Sequence, residues 1–163
     1  MIHSLASGLF SAASAPGPLA VGASMPDVAQ RNQDGRMVSL SPVDTGLVLV
    51  YFYPKSGTPA CTKQACGLRD SFESLSGGGI RILGVSRDSV RAQKAFKEKH
   101  GLPFDLLADE DGTVVRAFGV PTTMGFTKRQ SFLFKDGTLV WRDLTASAGR
   151  QSADVLDFLA TTS

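Results

Sequence analysis

An α/β fold with a mixed central sheet, helices on both faces and an N-terminal β-hairpin is the architecture this sequence predicts, and three observations predict it. Two continuous apolar runs, Leu47 to Tyr53 and Ile80 to Ser86, have the length and the β-branched and aromatic content of strands covered on both faces. Between them Ala65, Leu68, Phe72 and Leu75 recur at three- and four-residue steps, the mark of a helix with one apolar face. Near the C-terminus two more apolar runs flank Lys135-Asp136-Gly137-Thr138, an Asp-Gly hairpin signal.

Taken in order, the first twenty residues are rich in Ala, Ser, Gly and Pro with almost no charge, and residues 1–20 read as a flexible N-terminal extension. A secretory signal is the alternative, with Leu5 to Phe10 as the apolar part and Ala13-Ser14-Ala15 as the cleavage site, although no Lys or Arg precedes it. Asn32-Gln33-Asp34-Gly35 between Val28 and Met37-Val38-Ser39-Leu40 gives the N-terminal hairpin. After the strand ending at Pro54, Lys55-Ser56-Gly57 is a short loop. Thr58-Pro59 then starts a helix, with Thr58 expected to cap its free amides and Pro59 at the first helical position. That helix is expected to run unbroken through Leu75 to the stop at Gly77-Gly78-Gly79.

The strand Ile80 to Ser86 follows, so strand, helix and strand form a right-handed crossover with parallel strands. Asp88 or Ser89 caps the next helix, which ends at His100-Gly101. Phe104 to Leu107 is a short strand, Gly112 to Phe118 a short helix, and Val120 to Gly125 a loop. The hairpin of Gln130 to Phe134 and Leu139 to Arg142 adds antiparallel strands, and Ala153 to Leu159 closes the chain as a helix. This is the element order of a thioredoxin-like fold, with residues 21–163 as a single domain.

Composition narrows the function classes. The chain has 163 residues, 42% hydrophobic and 20% charged, and 17 basic against 15 acidic side chains leave a net charge of +2. The basic residues are scattered and do not alternate with aromatics, which argues against nucleic-acid binding. No stretch approaches the ~20 apolar residues of a membrane helix. Two cysteines are too few for a disulfide scaffold.

Both cysteines lie in the helix after the first long strand. Cys61 falls in its first turn, where unpaired amides and the helix dipole favour thiolate over thiol. A free cysteine titrates near pH ~8.5, whereas cysteines at helix N-termini fall to roughly 3.5–7.5. Placement alone leaves two readings of Cys61: a nucleophile, or a small apolar residue packed under the sheet. Cys66 comes five positions later. In an intact helix the two Cα atoms would be roughly 8–9 Å apart and on different faces, against the ~4.4–6.8 Å of a disulfide. Two cysteines five apart, with His3 and His100 remote in sequence, do not make a zinc site, and the Cys-x-x-Cys of a dithiol oxidoreductase is absent.

Pro54, Thr58 and Cys61 have the spacing Pro-x-x-x-Thr-x-x-Cys, and here the chain resembles the peroxiredoxins. The run Pro54-Lys55-Ser56-Gly57-Thr58-Pro59-Ala60-Cys61-Thr62-Lys63-Gln64-Ala65-Cys66 is similar to the bacterioferritin comigratory protein group, also called peroxiredoxin Q. Pro26-Asp27, Leu68-Arg69-Asp70, Gly84-Val85-Ser86 and Arg129-Gln130-Ser131-Phe132 extend the resemblance along most of the chain. Ser56-Gly57, Ala60, Gly67-Leu68 and Gln64, which stands where an acid is common, depart from the group's pattern.

The resemblance implies a thiol-dependent peroxidase for hydrogen peroxide and organic hydroperoxides. Cys61 would be the peroxidatic thiolate, oxidised to a sulfenic acid, and Cys66 the resolving thiol that closes an intrachain disulfide. Thr58 would set a hydroxyl beside sulfur and peroxide, Arg129 a guanidinium, and Pro54 would shield the sulfur from water. Arg69 and Arg116 are weaker candidates for the guanidinium. Cys66 can resolve only if the first helical turns unwind, and Gly67 is placed to ease that. Thioredoxin or a similar dithiol is the implied reductant, with no cofactor and no metal, in a cytoplasmic monomer or, if the extension is a signal, a periplasmic one. The rival from another class is a redox sensor or holdase switched by a Cys61–Cys66 disulfide without significant turnover.

Overall fold

The computed structural model describes residues 17–77 and 79–162. β1 (Val28–Arg31) and β2 (Met37–Leu40) form an antiparallel hairpin that is a sheet of its own. Its turn uses Gly35 at φ 75°, donating its N–H to the Asn32 carbonyl. β3 (Leu47–Phe52) leads into α1 (Pro59–Asp70) and α2 (Phe72–Gly77), and β4 (Ile80–Ser86) returns parallel to β3 from Leu47↔Ile80 to Phe52↔Val85. α3 (Val90–His100) carries the chain to β5 (Asp105–Ala108), parallel to β4.

α4 (Thr113–Phe118) follows, and its first turn is closed by the buried Asp109 carboxylate, which accepts from the Val114 and Val115 amides at 3.0 and 2.8 Å. β6 (Thr122–Thr123) and β7 (Phe126–Thr127) then pair as a small hairpin. β8 (Gln130–Lys135) and β9 (Thr138–Asp143) form the late hairpin, and α5 (Gln151–Thr161) ends the chain. Asp136 at φ 49° and Gly137 at φ 80° turn the late hairpin, the two positive φ values that the Asp-Gly signal provides for. The central sheet runs β5-β4-β3-β8-β9, with β8 antiparallel to both neighbours. The mixed sheet with its helices is the predicted thioredoxin-like architecture.

Alternation along β3 sorts the core into two halves. Val48, Val50 and Phe52 face Phe118, Phe132 and Phe134 on one side of the sheet. Leu49, Tyr51 and Tyr53 face the other side, where Cys61, Ala65 and Leu68 of α1 and Phe96 of α3 pack on them. The reactive-cysteine candidate is therefore on the Tyr51 and Tyr53 side.

Two elements differ from the sequence-based expectation. The helix expected to run from Thr58 to Leu75 breaks at Ser71, which has φ −94° and ψ 3°. Leu75 N–H still donates to the Ser71 carbonyl at 3.0 Å, so the apolar face continues across the break; periodicity reports that face and is blind to a one-residue interruption. The expected loop Val120–Gly125 instead carries β6 and the turn to β7. Met124 (φ 53°) and Gly125 (φ 83°) make that turn, and Met-Gly is not one of the usual hairpin dipeptides.

The extension expected over residues 1–20 lies, for residues 1–16, outside the described residues. Leu19 N–H donates to Phe118 O at 3.0 Å, and Arg142 Nη1 donates to the carbonyls of Pro18 and Leu19 at 3.3 and 2.7 Å. Among the described residues no helix is long and apolar enough to cross a membrane.

Gly84 in β4 is where the sheet admits no side chain. A Cβ there would lie 2.9 Å from the Tyr51 hydroxyl and 2.8 Å from Leu106 Cδ2, both fully buried. Gly84→Ala is expected to lower unfolding free energy by about 1–3 kcal/mol through overpacking, read from the midpoint of a urea titration followed by tyrosine and tryptophan fluorescence.

Candidate active site

The site is assembled where β3 stops. Tyr53 N–H still donates to Val85 O at 3.1 Å, and Pro54, which has no N–H, ends the pairing. The turn that follows is held from the far side by Asp88. Its Oδ2 accepts from Ser56 N–H at 2.8 Å and from Ser86 Oγ at 2.6 Å, and lies 2.9 Å from Ser56 Oγ. Gln93, fully buried on α3, adds a second anchor: its Oε1 accepts from the Tyr53 hydroxyl at 2.5 Å and lies 2.7 Å from Ser56 Oγ. Its Nε2 donates to Ser86 Oγ and to Leu107 O. Ser89, at 3.1 Å from Ala92 N–H, is the cap of α3, which leaves Asp88 free for the turn.

Pro59 occupies the first turn of α1 as its sequence predicted. Thr58 does not cap with its side chain. Its hydroxyl donates to Lys55 O at 2.8 Å, while its carbonyl accepts from Thr62 N–H at 2.9 Å. The first turn also lacks an acidic residue. Its amides thus receive no acceptor from the Thr58 side chain or from a carboxylate within the turn, and Cys61 sits among them, 2% exposed.

Arg129 lies between β7 and β8, and its guanidinium crosses to this turn. Nη2 donates toward Cys61 Sγ at 3.3 Å and Nη1 to Gln64 Oε1 at 2.5 Å. The loop that carries it is fixed on both sides of Arg129: Thr127 Oγ1 donates to Tyr53 O at 2.9 Å, Lys128 N–H to Pro121 O at 3.0 Å, and Ala146 N–H to Arg129 O at 3.2 Å. The first of these ties the arginine loop to the end of the strand that delivers the cysteine. A guanidinium only donates, so it is matched to a thiolate and to the developing charge on an oxygen being released.

Gln64, one turn after Cys61 and fully buried, passes the contact on. Its Nε2 donates to Gln151 Oε1 at 3.0 Å, and Gln151 Oε1 also accepts from Ser131 Oγ. Beneath the site Tyr51 is fully buried with no partner for its hydroxyl. Burial, with Tyr53 and Cys61 acting the same way, holds it well above the ordinary tyrosine range, so it stays a neutral phenol.

Of the residues singled out in the sequence, Arg129 reaches Cys61 in the first turn of α1, Thr58 directly precedes that helix with its hydroxyl bonded to Lys55 O, and Pro54 lies in the turn before it. Cys66 is half-buried on the same unbroken helix and forms no disulfide. Neither weaker arginine reaches the thiol. Arg69 donates to Asp70 and to His100 O, and Arg116 to Asp111 O. Among the described residues no group of three or more His, Cys, Asp or Glu is placed to hold a metal ion. Sequence reasoning did not reach Asp88 as a turn anchor, nor Gln93, Ser131 or Gln151. Gln64 stood out only as an amide in place of an acid, and for Gln151 the sequence offers no signal.

With this geometry in place, comparison with known proteins is decisive on the family. Residues 21–142 match the model of the AhpC/TSA family. The chain belongs to that family. It is 47% identical over 100 residues to a putative peroxiredoxin bcp of Coxiella burnetii, covering 61% of this chain and 66% of that protein. It is 45% identical over 108 residues to the chloroplastic peroxiredoxin Q of Oryza sativa subsp. japonica, covering 66% of this chain and 50% of the rice protein. The chain thus spans between half and two thirds of these relatives' length. Among solved structures it is similar to the bacterioferritin comigratory protein of Xanthomonas campestris, described for its alkyl peroxide reduction activity, with a TM-score of 0.79, 27% identity, and coverage of 87% of this chain and 98% of that one.

The Arg129 contact makes a direct prediction for the AhpC/TSA chain. With Cys66 replaced by Ser to leave one thiol, Arg129→Met should slow alkylation of Cys61 by iodoacetamide at neutral pH about tenfold or more. A charge-assisted hydrogen bond contributes ~1.5–3 kcal/mol, and ~1.4 kcal/mol is a factor of ten; the rate is read by intact-mass spectrometry.

Proposed function

We propose that this chain is a thiol-dependent peroxidase in which Cys61 attacks hydrogen peroxide or an organic hydroperoxide and Cys66 resolves the product. The observation that carries the reading is the Arg129 Nη2 contact to Cys61 Sγ at 3.3 Å, in the first turn of a helix whose capping residue leaves the turn's amides free. Membership of the AhpC/TSA family and similarity to peroxiredoxin Q proteins support it.

The thiolate sulfur of Cys61 attacks the terminal oxygen of R–O–O–H. An S–O bond forms as the O–O bond breaks, the sulfur becomes a sulfenic acid, and the departing alkoxide takes a proton to leave as the alcohol, or as water when R is hydrogen. The free first-turn amides and Arg129 are the donors aimed at the peroxide oxygens, where negative charge grows in the transition state. The Thr58 hydroxyl donates its hydrogen bond to Lys55 O, which leaves its lone pairs to accept from the peroxide O–H. Pro54, half-buried in the turn, offers no amide to draw water toward the sulfur.

The Cys66 thiol then attacks the sulfenic sulfur, forming the disulfide and releasing water. In this step α1 cannot stay wound. Five residues along an α-helix separate Cα atoms by roughly 8–9 Å, beyond the ~4.4–6.8 Å of a disulfide. A dithiol protein of the thioredoxin type would reopen the bond in a reducing compartment such as the cytoplasm, and an intrachain disulfide asks for no second subunit.

Peroxide consumption coupled to a dithiol reductant tests the activity: the parent turns over many equivalents, and Cys61→Ser reduces the rate to background. A single oxidation without turnover would favour a redox switch instead. After one equivalent of peroxide, mass spectrometry should find a Cys61–Cys66 disulfide in the parent and a sulfenic acid on Cys61 in Cys66→Ser.

Gly67 adjoins Cys66, and a Cβ there meets nothing within 4 Å. Gly67→Ala therefore changes helix stability alone, by about 1 kcal/mol. It should slow disulfide closure roughly fivefold, followed by rapid mixing and acid quench; an unchanged or faster rate would sink the role given to Gly67.

A further inference from the structure

The hydrogen bonds behind Arg129 have one direction, and that direction reaches the last helix. Arg129 only donates, so the Gln64 side-chain oxygen must face it, and the Gln64 nitrogen must face Gln151. Gln151 must then present its own oxygen, which accepts from Gln64 Nε2 and from Ser131 Oγ together. The consequence is visible at the far end. Gln151 Nε2 is buried with no hydrogen-bond partner. An amide that leaves its own donor unpaired is oriented by its neighbours, and here the neighbour that sets the orientation is ultimately Arg129.

The relay is sealed from water, since Gln64 is 0%, Ser131 0% and Gln151 2% exposed. It joins three elements that are far apart in sequence: α1, β8 and the first residue of α5. A second contact supports the same junction. A Cβ on Gly149, two residues before α5, would lie 3.1 Å from Lys63 Cε, so the approach to α5 rests on α1 beside the relay.

We propose that Gln151 is a positioning residue, holding the Arg129 guanidinium against Cys61 through Gln64, and that this relay opens when α1 unwinds. Gln64 lies between Cys61 and Cys66 on the helix that the disulfide requires to come apart. Unwinding takes the Gln64 side chain out of its socket, which releases Arg129 from Nη1 outward and frees α5 from α1. The reduced state thus has a fixed guanidinium and a clamped α5, and the disulfide state has neither. This clamp rests on the peroxidase reading, whereas the positioning of Arg129 does not.

Two measurements separate the parts. In the Cys66→Ser background, Gln151→Met, which fills the same space without an acceptor, should slow iodoacetamide alkylation of Cys61 about fivefold. Gln151→Glu, which keeps an oxygen at the accepting position, should restore the rate to within twofold of the parent. The Gln151→Met effect should vanish when Arg129 is already Met. Near-ultraviolet circular dichroism checks that the variants keep the parent fold.

With both cysteines present, Gln151→Met should form the Cys61–Cys66 disulfide about threefold faster from the sulfenic acid, because the clamp is gone. An alkylation rate equal to the parent's, or the same loss in the Arg129→Met background, would overturn the positioning role. Unchanged disulfide closure would overturn the clamp. A parent that alkylates as described yet consumes no peroxide would overturn the peroxidase reading and leave the positioning role standing.

Discussion

Arg129 reaches Cys61 across 68 residues of chain, and the rest of the site is arranged around the cost of bringing it there. A guanidinium stays charged at any pH a protein meets, so wherever it is withdrawn from water it must be given acceptors. Two are provided, the Cys61 sulfur and the Gln64 amide oxygen. A carboxylate in place of Gln64 would compete with the sulfur for the positive charge. The neutral amide satisfies the second N–H without neutralising the cation, so the positive charge stays directed at the sulfur.

That arrangement works only if the sulfur is held still, and the hold does not come from α1 itself. The helix begins without a side-chain cap, and its first turn carries no acidic residue. Rigidity comes instead from across the sheet. Asp88 gathers Ser56 and Ser86, Gln93 gathers Tyr53 and Ser56, and Thr127 binds the Tyr53 carbonyl. These bonds are buried or half-buried, where hydrogen bonds are stronger and broken ones more costly than at the surface. The turn before Cys61 is therefore fixed by its neighbours, while the helix after it has no side-chain cap of its own.

The distribution of local and distant causes explains what could be read from the sequence. Strand, helix start and hairpin signals are local, so the long strands, Pro59 at the start of α1 and the Asp136-Gly137 turn were all legible. The break at Ser71 was not, because apolar spacing records which face is buried and continues through one residue in near-helical geometry. The Thr58 side chain was misread for a related reason: a hydroxyl at that position has two nearby partners, the helix amides and the Lys55 carbonyl, and only the turn geometry chooses between them. Cys61 stood out by its place in the first turn of a helix, and Thr58, Pro54 and Arg129 were singled out by resemblance to a motif. Gln151 belongs to no motif and touches the site only through Gln64, so only the folded arrangement brings it there.

The proposed mechanism asks two opposed things of the same helix, and its composition bears on both. Wound, α1 sets Cys61 beside Arg129 and keeps Cys66 on another face. Unwound, it would let the two sulfurs meet. A helix of 12 residues that relied on its own propensity would be marginal in water, and Gly67 lowers that propensity further. What holds α1 is tertiary: Ala65 and Leu68 buried against the sheet, and Gln64 bonded to Arg129 and Gln151. Contacts of this kind would be lost together if the segment left its socket. The stability of the wound helix is thereby placed in tertiary contacts, the ones that the proposed disulfide step would have to undo.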